Sequence, residues 1–345
     1  MIEGYKGFRQ GMWCLDRQYS ENAVFEEPGD PVPCEHGIHF CESPFDVLTH
    51  YGFVAADCQL NEFATVQAEA CDCKRGNNKM VTSKLRIGKK LDISGFCREI
   101  LKFLLEKASA VGVVQRNTSD VQSSEGNYKT QAQVGNYSHQ EQLGDYSCQA
   151  QDTIDGQQTQ VGYMCRQAQS GHSCRQSQIG TDCIQVQEGV WGRQTQAGSI
   201  CQQAQTVGSS RQAQLGDECR QVQLAGKCDQ TQSGIHCIQA QAGDLSRQAQ
   251  LGNTCRQAQY GLKSRQVALG DDCEASASGE KSLVAVLGNR GCVRGALGCV
   301  LVLAEYRSDG SKEPYIYRVV SARVDGEHIK PNTWYFLHNG EFQEA

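Results

Sequence analysis

A nine-residue repeat fills the middle of the chain and limits its fold more than any other feature. Residues 121–300 divide almost without interruption into units of nine, of which residues 211–219 (RQAQLGDEC) are typical. Fifteen consecutive units, from Gln131 to Gln259, carry Gln at both the second and the fourth position, and glycine usually follows at the sixth. Five residues of alternating character before a glycine-containing turn predict a short β-strand followed by a corner.

Two further columns double the period of the repeat. Cys recurs at the ninth position every 18 residues, at Cys165, Cys183, Cys201, Cys219, Cys237, Cys255 and Cys273. The fifth position alternates in the same rhythm between a mainly aliphatic and a mainly polar series. We therefore predict a mainly β fold, a two-strand-per-coil β-solenoid with 18-residue coils. About ten coils stack with a spacing of roughly 4.7–4.9 Å.

The glutamines are predicted to face the interior of this solenoid. The second and fourth positions share one face of a strand, and between residues 130 and 282 neither they nor the ninth position carries a charge. Because buried unpaired charge is costly, this face is the inner one, where stacked amides bond to one another. The opposite register, with Gln outward and Ala and Leu inward, is the alternative because it buries more carbon. Besides the seven cysteines above, the predicted core ladder contains Gln167, Gln169, Gln185, Gln187, Gln212, Gln214, Gln248 and Gln250.

The inward register leaves two apolar features on the outside of the solenoid. One sheet carries a fifth-position column that we term the aliphatic stripe: Leu143, Val161, Ile179, Leu215, Leu251, Leu269 and Leu287. The other carries a third-position column that we term the alanine row: Ala132, Ala150, Ala168, Val186, Ala204, Val222, Ala240 and Ala258. Contiguous exposed apolar surface marks partner sites. The stripe predicts side-by-side pairing into a homodimer, with an unidentified protein partner as the alternative.

The regions outside the repeats are predicted to form three further parts. Residues 1–93 are expected to be an α+β domain, residues 94–120 a capping helix and linker, and residues 301–345 a small β cap after the solenoid of residues 121–300. Leu101, Leu104 and Leu105 supply an apolar face to a helix over residues 94–110. We expect this helix to cover the first coil, because open solenoid ends pair with other chains.

The two ends resemble a group of phage- and prophage-encoded proteins of unknown function, which have this N-terminal domain, a variable solenoid and this cap. The resemblance rests on Tyr5-Lys-Gly-Phe8, Cys34…Gly37-x-His39-Phe40-Cys41 with Pro44 and Asp46-Val47, Gly295…Gly298-Cys…Leu303-Ala-Glu-Tyr306, and Val324-Asp-Gly-Glu…Ile329-Lys-Pro-Asn-Thr-Trp-Tyr. It implies a phage or prophage origin and brings no established activity. The repeats of that group are commonly rich in Ala, Ser, Thr and Asn, whereas the present ones are rich in Gln.

Two chemical readings of the N-terminal domain compete with a purely structural one. Gly37-Ile-His-Phe40, Tyr51 and Gln67-Ala-Glu69 resemble the core of ADP-ribosyltransferases, where such a Glu orients the nicotinamide ribose. That resemblance implies an NAD-using activity, although Tyr5-Lys6-Gly7 replaces the usual first-strand His or Arg. A zinc site is the other reading, drawn from Cys34, His36, His39, Cys41, Cys71 and Cys73, whose spacing fits no standard finger. The candidate N-terminal site is His39, Cys41 and Glu69.

Composition narrows the remaining functions. A net charge of −6 argues against a nucleic-acid partner, and no apolar run approaches the length of a membrane span. The N-terminus lacks a basic-then-apolar signal segment, so we expect a location in the bacterial cytoplasm, where the 19 cysteines stay mostly as thiols. A linear Cys column does not converge on one ion, so no metal or cofactor is expected there.

The predicted function is therefore a non-enzymatic scaffold. An ice-binding surface is an alternative for a flat β-solenoid, and it calls for a regular outward lattice. The relevant third-position row is irregular and lies beside Arg residues: Glu141, Thr159, Ser177, Thr195, Ala213, Thr231 and Ala249.

Overall fold

The computed structural model describes residues 1–111, 113–116, 121–206, 208–308, 310 and 314–345. The chain is 49% strand and 8% helix, and its middle is a β-solenoid of about ten turns of 18 residues after an N-terminal α+β region. The predicted fold class is confirmed. Part of the predicted linker, residues 117–120, lies outside the described residues, and the four domain boundaries stay predictions.

The N-terminal unit contains two small antiparallel sheets, one hairpin and one short helix. Its strands are β1 (Ile2–Phe8), β2 (Trp13–Cys14), β3 (Arg17–Gln18), β4 (Val24–Glu26), β5 (Ile38–Phe40), β6 (Glu62–Ala68), β7 (Lys74–Arg75), β8 (Met80–Thr82) and β9 (Lys84–Leu91). The sheets run β1-β6-β9-β4 and β5-β8-β7, while β2 pairs with β3. Helix α1 (Pro44–His50) begins at a proline, whose fixed φ suits the first helical turn. A 3-10 turn covers Ala70–Asp72.

Helix α2 (Ile93–Ala110) joins this unit to the solenoid. Asp92 caps it, accepting a hydrogen bond from the backbone N–H of Gly95 at 2.6 Å. Phe96, Ile100 and Leu104 recur at helical spacing and are buried. The helix therefore has one strongly apolar face that requires a partner surface.

The solenoid has two parallel sheets, and successive strands alternate between them. The first, which we term the covered sheet, contains β10 (Val114–Arg116), β12 (Thr130–Val134), β14 (Cys148–Asp152), β16 (Arg166–Ser170), β18 (Ile184–Glu188), β20 (Gln202–Gln205), β22 (Arg220–Gln223), β24 (Ile238–Gln241), β26 (Arg256–Gln259), β28 (Glu274–Ala277) and β30 (Cys292–Gly295). The second, the exposed sheet, contains β11 (Val121–Glu125), β13 (His139–Leu143), β15 (Gln157–Val161), β17 (Arg175–Ile179), β19 (Arg193–Ala197), β21 (Arg211–Leu215), β23 (Asp229–Ser233), β25 (Arg247–Leu251), β27 (Arg265–Ala268), β29 (Leu283–Val286) and β31 (Val300–Arg307).

The C-terminal strands close both sheets at the same end of the rod. Strand β32 (Tyr315–Arg323) pairs antiparallel with β31, so it ends the exposed sheet. Strand β33 (Tyr335–His338) pairs with β30 and with β34 (Glu341–Glu344), which ends the covered sheet. The reversal of strand direction stops the parallel stacking of coils.

The interior of the solenoid is a ladder of glutamine amides. In β15 the Nε2 of Gln158 donates to the Oε1 of Gln140 at 2.8 Å, and Gln158 Oε1 accepts from Gln176 Nε2 at 2.9 Å. All eight predicted ladder glutamines are at most 2% exposed. Seven of them donate to the glutamine one coil earlier, and Gln250 donates to the carbonyl of Cys237 instead. The inward register is confirmed, and the alternative register with outward Gln is wrong.

The ladder ends where Ala and Val replace Gln at the inner positions. Gln257 and Gln259 face Ala275 and Ala277 in the next coil, and Gln266 faces Val284. The Oε1 atoms of these three glutamines are buried without a hydrogen-bond partner among the described residues. Beyond this boundary the core becomes apolar, with buried Val286, Leu301 and Leu303.

The corners explain the regular spacing of glycine and cysteine within the repeat. At Gly216 the backbone φ is +143°, and a Cβ there would lie 2.1 Å from the carbonyl oxygen of Gly198 in the preceding coil. That approach excludes any larger residue. The seven column cysteines are fully buried, and Cys219 Sγ donates to the same Gly198 carbonyl at 3.2 Å. Ser264 occupies the equivalent place at the other corner and donates to Gly243 at 3.2 Å.

A charge placed in the ladder is expected to destabilise the rod, whereas the same charge next to it is not. Gln158→Glu removes an amide donor and directs a carboxylate at the Oε1 of Gln140. We expect the free energy of unfolding to fall by on the order of 3–5 kcal/mol. Gln157→Glu is the matched control, because Gln157 precedes it in the same strand and is exposed. Thermal and urea unfolding measure both variants; equal, small effects contradict the buried ladder.

The column thiols are expected to be unreactive in the folded protein. The seven column cysteines are fully buried, so a reagent in solution does not reach them. Burial also raises the pKa of Cys174 and of Cys228, two buried cysteines at the other corner, which lowers their thiolate fraction. Cys34 and Cys71 are exposed. Titration with a thiol-specific reagent is therefore expected to modify Cys34 and Cys71 rapidly and the column only after unfolding. Column cysteines that are found disulfide-bonded in the native protein contradict this prediction.

Candidate interaction surfaces and an N-terminal cavity

The alanine row of the covered sheet is occupied by the chain itself. Every member of the row is at most 3% exposed. Helix α2 lies across β12, β14, β16 and β18, and its residues Phe96, Ile100 and Leu104 belong to one buried cluster with the row. The small side chains of the row form a flat, shallow surface on which a helix packs closely. The expectation that this row is exposed for a partner is wrong.

The same contacts correct the expected position of the helix. We expected the helix over residues 94–110 to cover the first coil, but α2 runs along the face of the covered sheet and spans several coils. The first coil, which we expected the helix to cover, contains β10 and β11, the first strands of the two sheets. Hydrophobic burial on the broad alanine surface exceeds what one coil end offers, so the helix follows the row.

Polar contacts hold the N-terminal unit at one position along the rod. Arg98 Nη1 of α2 lies 2.8 Å from Glu188 Oε1 at the end of β18. Gln202 Nε2 donates to the carbonyl of Leu48 at 2.9 Å, and Tyr260 Oη donates to that of Cys58 at 2.9 Å. These contacts span β18 to β26, so the N-terminal unit and the solenoid are joined over much of the covered sheet.

The aliphatic stripe lies along the exposed sheet, at one end of its strands. Five of its members are 45–58% exposed: Leu143, Ile179, Leu215, Leu251 and Leu269. Val161 and Leu287 are partly buried. The stripe residues stack in register from coil to coil, for example Leu143 beside Val161. The structure thus places all seven predicted interface residues in one column, in which Ala197 lies between Ile179 and Leu215, and Ser233 lies between Leu215 and Leu251.

Charges flank the stripe on both sides. An Arg column lies at the opposite end of the same strands and contains Arg175, Arg193, Arg211, Arg247 and Arg265. Asp229 interrupts this column, and its carboxylate lies 3.7 Å from Arg211 Nε. The corners that follow the stripe carry Asp145, Asp182, Asp217 and Asp271. The exposed sheet therefore has a basic edge, an apolar stripe and an acidic edge. Its third-position row mixes Glu, Thr, Ser and Ala, which gives no regular lattice for ice.

A cavity of about 310 Å³ lies within the N-terminal unit. Its wall includes His39 and Cys41, together with Lys6, Cys14 and Tyr51. Backbone hydrogen bonds between Tyr5 and Cys41, at 2.7 and 2.9 Å, bring β1 beside the strand that carries His39. Glu69 is exposed after the end of β6 and does not line this cavity. The structure thus brings together two of the three predicted N-terminal residues.

The surroundings of His39 and Cys41 favour the neutral form of each side chain. The Nε2 of His39 accepts a hydrogen bond from the backbone N–H of Cys34 at 3.1 Å. Burial, with Lys79 and Lys6 nearby, lowers the pKa of His39 and favours the neutral ring. Burial raises the pKa of Cys41 to about 12, which disfavours the nucleophilic thiolate. Among the described residues, no three His, Cys, Asp or Glu side chains are grouped to hold a metal ion.

Sequence reasoning missed Lys6 and Cys14 as cavity residues, whereas Tyr51, which belongs to the ADP-ribosyltransferase resemblance, does line the cavity. Lys6 was treated only as a departure from the ADP-ribosyltransferase pattern, yet Gly4, Lys6 and Phe8 alternate along β1 and are all buried. The alternation along β1 therefore already placed Lys6 on the buried face of the strand, and a lysine at a buried position is unusual enough to indicate a candidate site.

Comparison with known proteins identifies only the N-terminal part of the chain. Residues 2–99 match a domain of unknown function (DUF7666). No curated protein and no solved structure matches the chain. The match is consistent with the predicted family of unknown function and shows no link to phages. In the part of the chain that the structure describes, no helix has the length and apolar character needed to cross a membrane.

The covered and exposed sheets are expected to respond differently to one substitution. Ala204→Asp places a carboxylate under the N-terminal unit, and we expect it to reduce stability by on the order of 3 kcal/mol or more and to loosen α2. Ala213→Asp is the matched control, since Ala213 holds the same repeat position in the next strand and is partly exposed. Thermal unfolding and hydrogen exchange of α2 measure the difference. Equal protection of α2 in both variants contradicts the docking.

Proposed function

We propose that the protein is a non-enzymatic scaffold, a rigid rod that holds its N-terminal unit on one sheet and binds a second copy through the other. The main support for this proposal is that the outer faces of the two sheets differ in exposure. The chain buries the alanine row of one and leaves the aliphatic stripe of the other exposed. An apolar column of this length is costly in a monomer, because exposed contiguous apolar surface promotes association.

The charge pattern favours a second copy over an unrelated partner. A two-fold axis parallel to the rod and close to the stripe places the stripes of two copies against each other. The same operation sets the Arg column of each copy toward the acidic corner of the other, for example Arg211 toward the corner at Asp217. One self-complementary surface then satisfies both the apolar and the charged groups.

The proposal also includes the setting in which the rod acts. The motifs at both ends suggest a phage or prophage protein that works in the bacterial cytoplasm, and this origin is part of the proposal. The match to a domain of unknown function agrees with the absence of a recognised activity in that family. The ADP-ribosyltransferase reading has less support, because the cavity wall contains His39 and not Glu69.

Dimer formation is expected to depend on the stripe. At roughly 10 µM protein we expect a dimer, and Leu215→Lys with Leu251→Lys is expected to give a folded monomer, because two ammonium groups per copy oppose burial of the stripe. Leu245→Lys with Leu262→Lys is the control: both leucines are comparably exposed, at 53% and 47%, but lie at the other corner. Analytical ultracentrifugation gives the masses. An unmodified protein that is monomeric at this concentration overturns the proposed interface.

A further inference from the structure

Lys6 is a buried amine without an ionic partner. Its side chain is 6% exposed, and its Nζ donates to the backbone carbonyl of His39 at 2.7 Å. None of the ion pairs among the described residues includes it. Burying an ammonium that lacks a counter-charge is strongly unfavourable. The charged form of Lys6 is therefore favoured only where an anion supplies a counter-charge.

A second cation, Arg17, lines the same cavity. Both cations lie near the aromatic ring of Tyr19. Lys6 Nζ is 5.3 Å and the guanidinium carbon of Arg17 is 5.8 Å from the centre of that ring. Arg17 Nη1 is buried without a hydrogen-bond partner, and its nearest carboxylate oxygen, on Glu27, is 3.6 Å away. Both cations line the cavity, and so do the carboxylates Asp16 and Glu27, of which Glu27 lies beside Arg17.

We infer that this cavity binds a small organic anion whose carboxylate or phosphate group pairs with Lys6 and Arg17. The volume of about 310 Å³ lies at the lower end of the range for small-molecule sites, so the cavity fits a small ligand. Tyr19 and Tyr51 offer aromatic surface to the rest of the ligand. Oxygen atoms of such an anion complete the hydrogen bonding of both cations, as in other charge-assisted pairs.

The electrostatics of the cavity agree with this assignment. Burial lowers the pKa of Lys6, and Cys14, Cys41 and Glu27 oppose that shift only in part. A bound anion supplies the missing counter-charge. The site is independent of the aliphatic stripe, so it adds a ligand to the scaffold and does not rest on dimer formation.

The test uses the full chain and simple anions. Inorganic phosphate, citrate and acetate are titrated at constant ionic strength, and binding is measured by isothermal titration and by the shift in melting temperature. We expect saturable binding of at least one of them, and a comparison of phosphate with the two carboxylates identifies the preferred group. Lys6→Gln and Arg17→Gln are expected to weaken this binding by at least about tenfold. Lys129→Gln, an exposed lysine of the solenoid, is expected to leave it unchanged.

The ligand-free variants distinguish a binding site from a structural lysine. If Lys6 is kept for a ligand, Lys6→Gln removes an uncompensated buried charge and leaves the melting temperature without anion equal or higher. A lower melting temperature for Lys6→Gln, combined with unchanged anion binding, overturns the inference. Binding that disappears equally in Lys129→Gln reveals nonspecific charge attraction and also overturns it.

Discussion

Most interior glutamines of the solenoid donate an amide N–H to the oxygen of the glutamine one coil earlier, as Gln176 does to Gln158, and the geometry of the rod follows from this contact. The amides replace an oily core that the composition does not supply. They also fix the register, because a shift of one residue would bury the outward Arg and Thr side chains and expose the amides. Straight columns on both outer faces are a consequence of that fixed register.

The outer faces turn this regularity into two different surfaces. On the covered sheet, the third-position side chains are small, so α2 and the aromatic residues of the N-terminal unit pack directly on the strands. On the exposed sheet, larger aliphatic side chains stand at the strand ends, between an Arg column and acidic corners. A repeat that is uniform inside therefore separates an intramolecular surface from one that is available for another molecule.

The sequence predicts the solenoid well because its information is local and periodic. An 18-residue recurrence of Cys165, Cys183 and Cys201 specifies the coil, and the absence of charge at the Gln positions specifies the inner face. The docking of the N-terminal unit has no comparable signal. Phe45, Phe53 and Phe96 are far apart in the sequence and meet only in the folded chain. Lys6 differs, because the alternation along β1 places it on the buried face, but nothing in the sequence shows that segments distant along the chain enclose a cavity beside it.

Because successive strands alternate between the two sheets, the number of repeats determines both the length of the rod and the direction in which its later coils face. Adding or removing 18 residues changes its length by one strand spacing, roughly 4.8 Å, and keeps every later coil facing the same way. Adding or removing nine residues exchanges the two faces for the rest of the rod, so that everything downstream is rotated by half a turn relative to the N-terminal unit. We therefore expect insertions and deletions of 18 residues, a whole coil, to be tolerated, and those of nine residues, half a coil, to be disfavoured. The parity of the repeat number, and not only the number itself, is under physical constraint.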